Sequence, residues 1–251
     1  MNLGLRIASL CLAFVLASGL LTMPEAYWES LPPPSETTVP AAPPGASPEG
    51  GMDDVAPTDW FYRHLRRGFR HGFLRSIDGR FEPRRGITRA EFVTMLGRTH
   101  VALGGALRYG ERSEALPYTD VAPDADFTPY LVWATELGLV QGDAEQRFRP
   151  DEALTRESLA VILARYLEAY AVYTHLEYYD HGRYEDWELI STWAYEAVHL
   201  LRDYGLMQGS RGVQNIPGVY FFRPQDLALR FESAVILVRL FDAVFDGRVA
   251  V

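Results

Sequence analysis

Three arginines stand at the start of apolar runs of helical period, and each is announced by the same residues. The sets are Phe81, Pro83 and Arg89; Phe148, Pro150 and Arg156; Phe222, Pro224 and Arg230. A cation at a helix start opposes the helix dipole, whose positive end lies there. The placement becomes favourable when an anion shares it, because the guanidinium, the first-turn N–H groups and the dipole then converge on one negative group. The chemistry these residues offer is therefore recognition of a carboxylate or phosphate. The competing reading pairs Arg89 with Asp54 or another acid simply to fix packing. A second arginine follows nine residues after each, at Arg98, Arg165 and Arg239. These lie two and a half turns into their helices and read as interface salt bridges.

Other chemistries find no support in the sequence, so neither catalytic residues, a metal nor a cofactor is expected. The six histidines, His64, His71, His100, His175, His181 and His199, show no paired spacing of a zinc site. No Gly-x-Ser-x-Gly element or phosphate loop occurs. Adjacent acids such as Glu185 and Asp186 do not amount to a glycosidase pair, which needs two carboxylates placed across a cleft. A formal charge of −9 disfavours nucleic acid, whose binding needs a basic face. All 24 basic residues are arginine. Guanidinium forks suit carboxylate and phosphate, although a genome-wide coding bias is the preferred explanation of the usage. The single cysteine, Cys11, lies in the N-terminal apolar stretch, so the rest of the chain has no disulfide or thiolate chemistry.

The elements that must position the arginines repeat with them. The motif recurs at similar intervals, from Arg89 to Arg156 and then, slightly longer, to Arg230, which marks a triplicated supersecondary unit. Asp54-Val55-Ala56-Pro57 and Asp120-Val121-Ala122-Pro123 precede Gly72 and Gly138 at one and the same interval. In the third unit Tyr178-Tyr179-Asp180 answers Pro117-Tyr118-Thr119-Asp120 loosely, and Gly205-Leu206-Met207-Gln208-Gly209 answers Gly138-Leu139-Val140-Gln141-Gly142 closely. Each unit reads as helix, loop, helix. The first helices are expected at about Trp60–His71, Tyr130–Leu137 and Trp187–Tyr204, closed by glycine. Thr88 with Glu91 forms a capping box at the second helix. Thr155 keeps the cap without the partner, and Leu229 replaces the cap. Apolar residues at four, six and seven beyond each arginine paint one face: Val93, Met95, Leu96; Ala160, Ile162, Leu163; Ala234, Ile236, Leu237. One copy of about 60 residues buries little surface. Pooling three faces into one core solves this.

The pattern Asp-Val, Gly-Leu-x-x-Gly, Phe-x-Pro, then Thr-Arg-Ala-Glu resembles the S-layer homology (SLH) domain, over roughly residues 53 to 247 in three tandem copies. Thr88-Arg89-Ala90-Glu91 matches the family tetrapeptide, Thr155-Arg156-Glu157-Ser158 is near it, and Leu229-Arg230-Phe231-Glu232 keeps only the arginine and the glutamate. The resemblance implies a mainly α fold, with three helix-loop-helix repeats packed as a pseudo-threefold unit around a shared helical core. It also implies a ligand: the carboxylate of a pyruvate ketal on a secondary cell-wall polysaccharide associated with peptidoglycan. That ligand would lie in grooves between repeats, held by Arg89, Arg156 and Arg230. Loops carrying Gly72, Gly138, Gly142, Gly205 and Gly209 would line the grooves, and Trp60 and Trp187 would stack on sugar rings. Repeat three, with Phe231 beside its arginine and about seven extra residues between Gly209 and Phe222, is expected to have an altered groove.

Residues 1–26 carry one early charge, Arg6, and an apolar stretch from Ile7 to Met23. This is either a secretory signal peptide or an uncleaved N-terminal anchor. Residues 27–52 form a Pro-rich linker that cannot bury apolar surface. The repeats follow at 53–112, 113–176 and 177–247. The expected product is a secreted, non-enzymatic module of the cell wall or surface, with membrane contact only if the leader is kept. The alternative is an envelope assembly protein whose degenerate repeats contact other envelope proteins and bind no glycan.

Overall fold

The computed structural model describes residues 52–107, 116–170, 172, 178, 182–211 and 218–249. The leader and residues 27–51 of the linker lie outside the described residues, as do Tyr179 and Asp180. Among the described residues no helix is long and apolar enough to cross a membrane.

The three motif arginines each open a helix. These are α2 (Arg89–Ala102), α4 (Arg156–Ala169) and α6 (Arg230–Val249). The capping box forms as its residue types require. Glu91 N–H donates to Thr88 Oγ1 at 3.3 Å and Thr88 N–H to Glu91 Oε2 at 3.0 Å. Thr155 caps through the Ser158 N–H at 3.2 Å. Leu229 lacks the hydroxyl, yet its N–H still donates to Glu232 Oε2 at 3.2 Å, which preserves the glutamate half of the box.

The first helices are α1 (Tyr62–Arg70), α3 (Thr128–Glu136) and α5 (Tyr195–Asp203); α1 and α5 are shorter than the sequence pattern suggests, whereas α3 starts two residues earlier than expected. Gly72, Gly138 and Gly205 follow them at φ 77°, 68° and 67°, where a side chain is strained. The expected helix Trp187–Tyr204 is broken. Trp187–Leu189 is a 3-10 turn and Ile190 is extended. The buried Glu157 carboxylate explains the break, because it takes the Ser191 N–H and hydroxyl at 3.0 Å each, withdrawing that residue from a helical ladder. The insertion of the third unit falls in a small antiparallel pair, β1 (Ser210–Arg211) with β2 (Tyr220–Phe221).

A carboxylate fastens each Phe-x-Pro turn. Asp54 accepts from the N–H groups of Phe81 and Glu82, Asp120 from Phe148 and Arg149, and Asp186 from Phe222 and Arg223, all at 2.7–2.8 Å. The second donor of each pair, Glu82, Arg149 or Arg223, has φ between 53° and 58°. The charge-assisted pair holds a backbone shape that such residues rarely adopt. Asp186 thus occupies the place of Asp54 and Asp120, and it follows Asp120 at the same interval at which Asp120 follows Asp54. Tyr184 packs on Phe222 as Tyr118 does on Phe148, at centroid distances of 5.2 and 5.4 Å. This corrects the match of Tyr178-Tyr179-Asp180 to Tyr118-Thr119-Asp120; Tyr184-Glu185-Asp186 is the equivalent segment.

The three motif turns close on one another. Ile87 N–H donates to Ala228 O, Ala228 N–H to Leu154 O and Leu154 N–H to Ile87 O, at 2.8–2.9 Å. Around this ring α2 packs on α3, α4 on α5 and α6 on α1, with α2 also touching α6. All nine face residues predicted from the arginine spacing are buried, in one hydrophobic cluster with Phe81, Phe148 and Phe222. The described protein is mainly helical.

Candidate functional site

The motif arginines make one contact in common, across segment boundaries. Arg89 Nε donates to Phe148 O at 2.7 Å, Arg156 Nε to Phe222 O at 2.6 Å and Arg230 Nε to Phe81 O at 2.8 Å. Each guanidinium also lies over the ring of that phenylalanine, at 4.7, 5.4 and 5.1 Å from the centroid. The helix starts behind them are not open. Arg89 and Ala90 N–H donate to Glu152 and Pro150 carbonyls, Arg156 and Glu157 to Asp226 and Pro224, Arg230 and Phe231 to Arg85 and Pro83, all at 2.9–3.1 Å. The expectation that free first-turn N–H groups join the arginine in holding an anion is therefore corrected. Those donors already bond the neighbouring Phe-x-Pro turn.

What remains for a ligand is the far end of each guanidinium, and here the three diverge. Arg156 Nη1 lies 2.8 Å from Glu232 Oε2, and Arg230 Nη1 lies 2.7 Å from Glu91 Oε1. Both arginines are buried, 8 % and 3 % exposed. Glu91 is shared with Arg85, whose Nη2 is 2.6 Å away. Burial pushes the Glu91 carboxyl up, but hydrogen bonds from Arg85 and the Thr88 N–H and the Arg230 charge outweigh it, leaving the group below its ordinary range. Arg89 is different. It is partly exposed, its Nη2 donates to Gln141 O at 3.0 Å, and no carboxylate among the described residues lies within 4 Å of it. Burial penalises its charged form; Glu152, Tyr118 and Asp120 oppose that only from a distance.

Gln141 belongs to the wall of an open hollow of 250 Å³ whose lining includes Tyr118, Gly138, Gln141, Gly142 and Asp143. Gly138 and Gly142 are thus brought to one hollow, which Arg89 meets through Gln141. Gly142 has a physical reason to be glycine, since a Cβ would lie 2.8 Å from the Tyr118 ring. Gly209 repeats the relation against Tyr184, also at 2.8 Å. A Cβ on Gly72, Gly138 or Gly205 would meet only open space, so their role is the helix-ending turn.

Asp143 fixes the rim of the hollow. Backbone and side-chain donors from Arg147 and Arg149 overcome its desolvation and hold it at about 2, so the carboxylate is ionised at neutral pH and its charge is met by the two guanidiniums.

The two nominated tryptophans are not equivalent. Trp60, 63 % exposed, stands edge-on to Phe231 and Phe61. Trp187 is half-buried in the 3-10 turn, edge-on to Tyr195 with Arg183 over its ring at 4.8 Å. The counterpart of Trp60 is Trp193, 59 % exposed and two residues before α5 as Trp60 is before α1. The sequence reading missed Trp193, which lies seven residues after Asp186 where Trp60 lies six after Asp54, so that the even spacing of the aspartates points to Thr192 instead. The second arginines make structural contacts: Arg98 to the Tyr130 hydroxyl, Arg165 to Leu139 O and Arg239 to Leu206 O, at 3.2–3.3 Å. Among the described residues no cluster of His, Cys, Asp and Glu is arranged to hold a metal ion.

Comparison with known proteins finds a family model that matches two segments of the chain. The S-layer homology domain matches residues 51–93 and 117–160. The chain is 29 % identical over 177 residues to cell surface glycoprotein 1 of Acetivibrio thermocellus, covering 68 % of this chain and 7 % of that protein. It is 27 % identical to an amylopullulanase of Thermoanaerobacterium thermosulfurigenes, covering 72 % and 8 %, and 28 % identical to an endoglucanase of Bacillus sp. strain KSM-635, covering 75 % and 18 %. The chain spans less than a fifth of the length of each of these relatives.

Proposed function

We propose that this protein is a non-enzymatic cell-envelope module that attaches to the wall by binding a pyruvylated secondary cell-wall polysaccharide. Residues 53–112, 113–176 and 177–247 are read as three S-layer homology repeats in a pseudo-threefold arrangement, the third diverged. The closed ring of Ile87, Leu154 and Ala228, together with the three aspartate clamps, supports that reading. Residues 1–26 are its leader or anchor and 27–52 its tether. Its place is the cell surface.

One observation carries the binding role: Arg89 has no carboxylate partner among the described residues and bonds Gln141, which lines an open hollow. A cation held this way by Phe148 O and Gln141 O keeps its charge on a partly exposed side chain. A ligand carboxylate would satisfy it with charge-assisted hydrogen bonds worth about 1.5–3 kcal/mol. The relatives that match are a surface glycoprotein and polysaccharide-degrading enzymes, each over a small share of its length, which suits an attachment module better than a catalytic one.

The second reading, an assembly protein with no glycan ligand, draws on Arg156 and Arg230, whose guanidinium charges are already met inside the protein. Co-sedimentation separates the two. The protein should pellet with purified walls that carry their pyruvylated polymer and stay in solution with walls made without pyruvate. Equal pelleting with both would favour the assembly reading.

A further inference from the structure

We infer that residue 158 decides which motif arginine accepts an acidic ligand: the protein seals two of its three arginines with its own glutamates and leaves one ligand place, at Arg89. The inference rests on the reading of Arg89 as the glycan contact. Its basis is a position, two residues after each motif arginine. That position holds Glu91, Ser158 and Glu232. Glu232 reaches back to the arginine of the preceding segment, Arg156, and Glu91 reaches round the ring to Arg230. By the same rule Arg89 would be met from position 158. Ser158 is too short to do so, and its hydroxyl instead lies 2.8 Å from that of Thr155.

The guanidiniums differ atom by atom in the same sense. All three spend Nε on the phenylalanine carbonyl. Two spend Nη1 on a carboxylate oxygen. Arg89 makes no ion pair through Nη1 among the described residues; its second bond, through Nη2, goes to the neutral Gln141 carbonyl. The internal glutamates thus occupy the place that an external carboxylate would take, at effective concentrations no free ligand matches. A carboxylate-bearing ligand finds that place open only at Arg89, beside the hollow of Gly138 and Gly142. The serine therefore acts as a specificity determinant through what it omits, and the protein binds one acidic group per chain rather than three.

The test has two arms. In the first, a methyl hexoside carrying a pyruvate ketal is titrated into the whole protein by calorimetry. The wild type should bind one equivalent, Ser158→Glu should lose at least tenfold in affinity, and Ser158→Gln, which adds the same bulk without charge, should lose much less. Loss in Ser158→Gln equal to that in Ser158→Glu, or three equivalents bound by the wild type, overturns the inference. The second arm needs no ligand. Ser158→Glu also completes a capping box with Thr155, so its melting temperature is compared in the wild-type and Arg89→Ala backgrounds. The rise should be larger where Arg89 is present. An equal rise in both overturns the inference whatever the hexoside does. A larger rise with no hexoside bound by the wild type upholds the pairing of position 158 with Arg89 and overturns the glycan reading alone.

Discussion

Arg230 and Glu91 lie 139 residues apart in the chain, yet their Nη1 and Oε1 atoms are 2.7 Å apart, and this pair joins the start of α6 to the start of α2. Arg230 is 3 % exposed, stacked over Phe81 and bonded to its carbonyl. A cation so buried persists because its Nε, its Nη1 and its face each meet a partner.

Removing it should therefore cost far more stability than removing Arg89. Arg230→Ala breaks a buried ion pair and empties a packed site, and is expected to lose about 3–5 kcal/mol of unfolding free energy. Arg89→Ala, which leaves no carboxylate stranded, should lose about 1–2 kcal/mol. Urea unfolding followed by circular dichroism measures both. Equal losses would mean that the internal pairs contribute nothing.

Truncation after residue 176 should abolish cooperative folding. It removes Ala228, which both accepts from Ile87 and donates to Leu154, and strips α1 of its partner α6. The exposed face includes Phe61, Leu65 and Phe73. The fragment should melt broadly by calorimetry. A sharp transition like that of the whole chain would contradict the closed ring.

Much of this was legible in the sequence. The spacing of Phe81, Pro83 and Arg89 located the second helices, and counting from each arginine located the buried face, because a helix repeats its contacts at fixed intervals. The cross-segment partners were not legible. Nothing local marks Glu232 as the partner of Arg156, since the pairing depends on how the ring closes. The first-turn N–H groups looked free for the same reason; their acceptors, Glu152, Asp226 and Arg85, lie on the neighbouring turn. Asp186 was hidden by the more tyrosine-rich Tyr178-Tyr179-Asp180, although its even spacing from Asp120 and Asp54 pointed to it. The substitution at Ser158 was visible as a lost capping partner, but its consequence for Arg89 needed the three-dimensional pairing.

Acidification should weaken the fold well before the carboxylates titrate. His64 and His199 are held below their ordinary value first by burial, and each has a buried ring nitrogen without a hydrogen-bond partner. Arg239 adds to the effect at His64, against Asp242; at His199 Asp203 and Glu196 oppose, and Arg183 and Arg202 add. A depressed folded value means that the unfolded chain takes up the proton first. Stability is then full above pH about 6.5 and falls as pH drops through the folded values. Melting temperature should decline between pH 7.5 and 5, less so in a His64→Leu, His199→Leu protein. An identical decline in both would place the titration elsewhere.

The central claim, that Arg89 is the contact for an acidic wall polymer, is tested most directly by titrating that polymer against the wild type and Arg89→Ala, with the folded state of each verified by its melting curve. Loss of one charge-assisted contact predicts about ten- to a hundredfold weaker binding by Arg89→Ala, and an equally weak interaction of the wild type with polymer stripped of pyruvate. Unchanged affinity in a folded Arg89→Ala protein, or wild-type binding indifferent to pyruvate, would contradict the account.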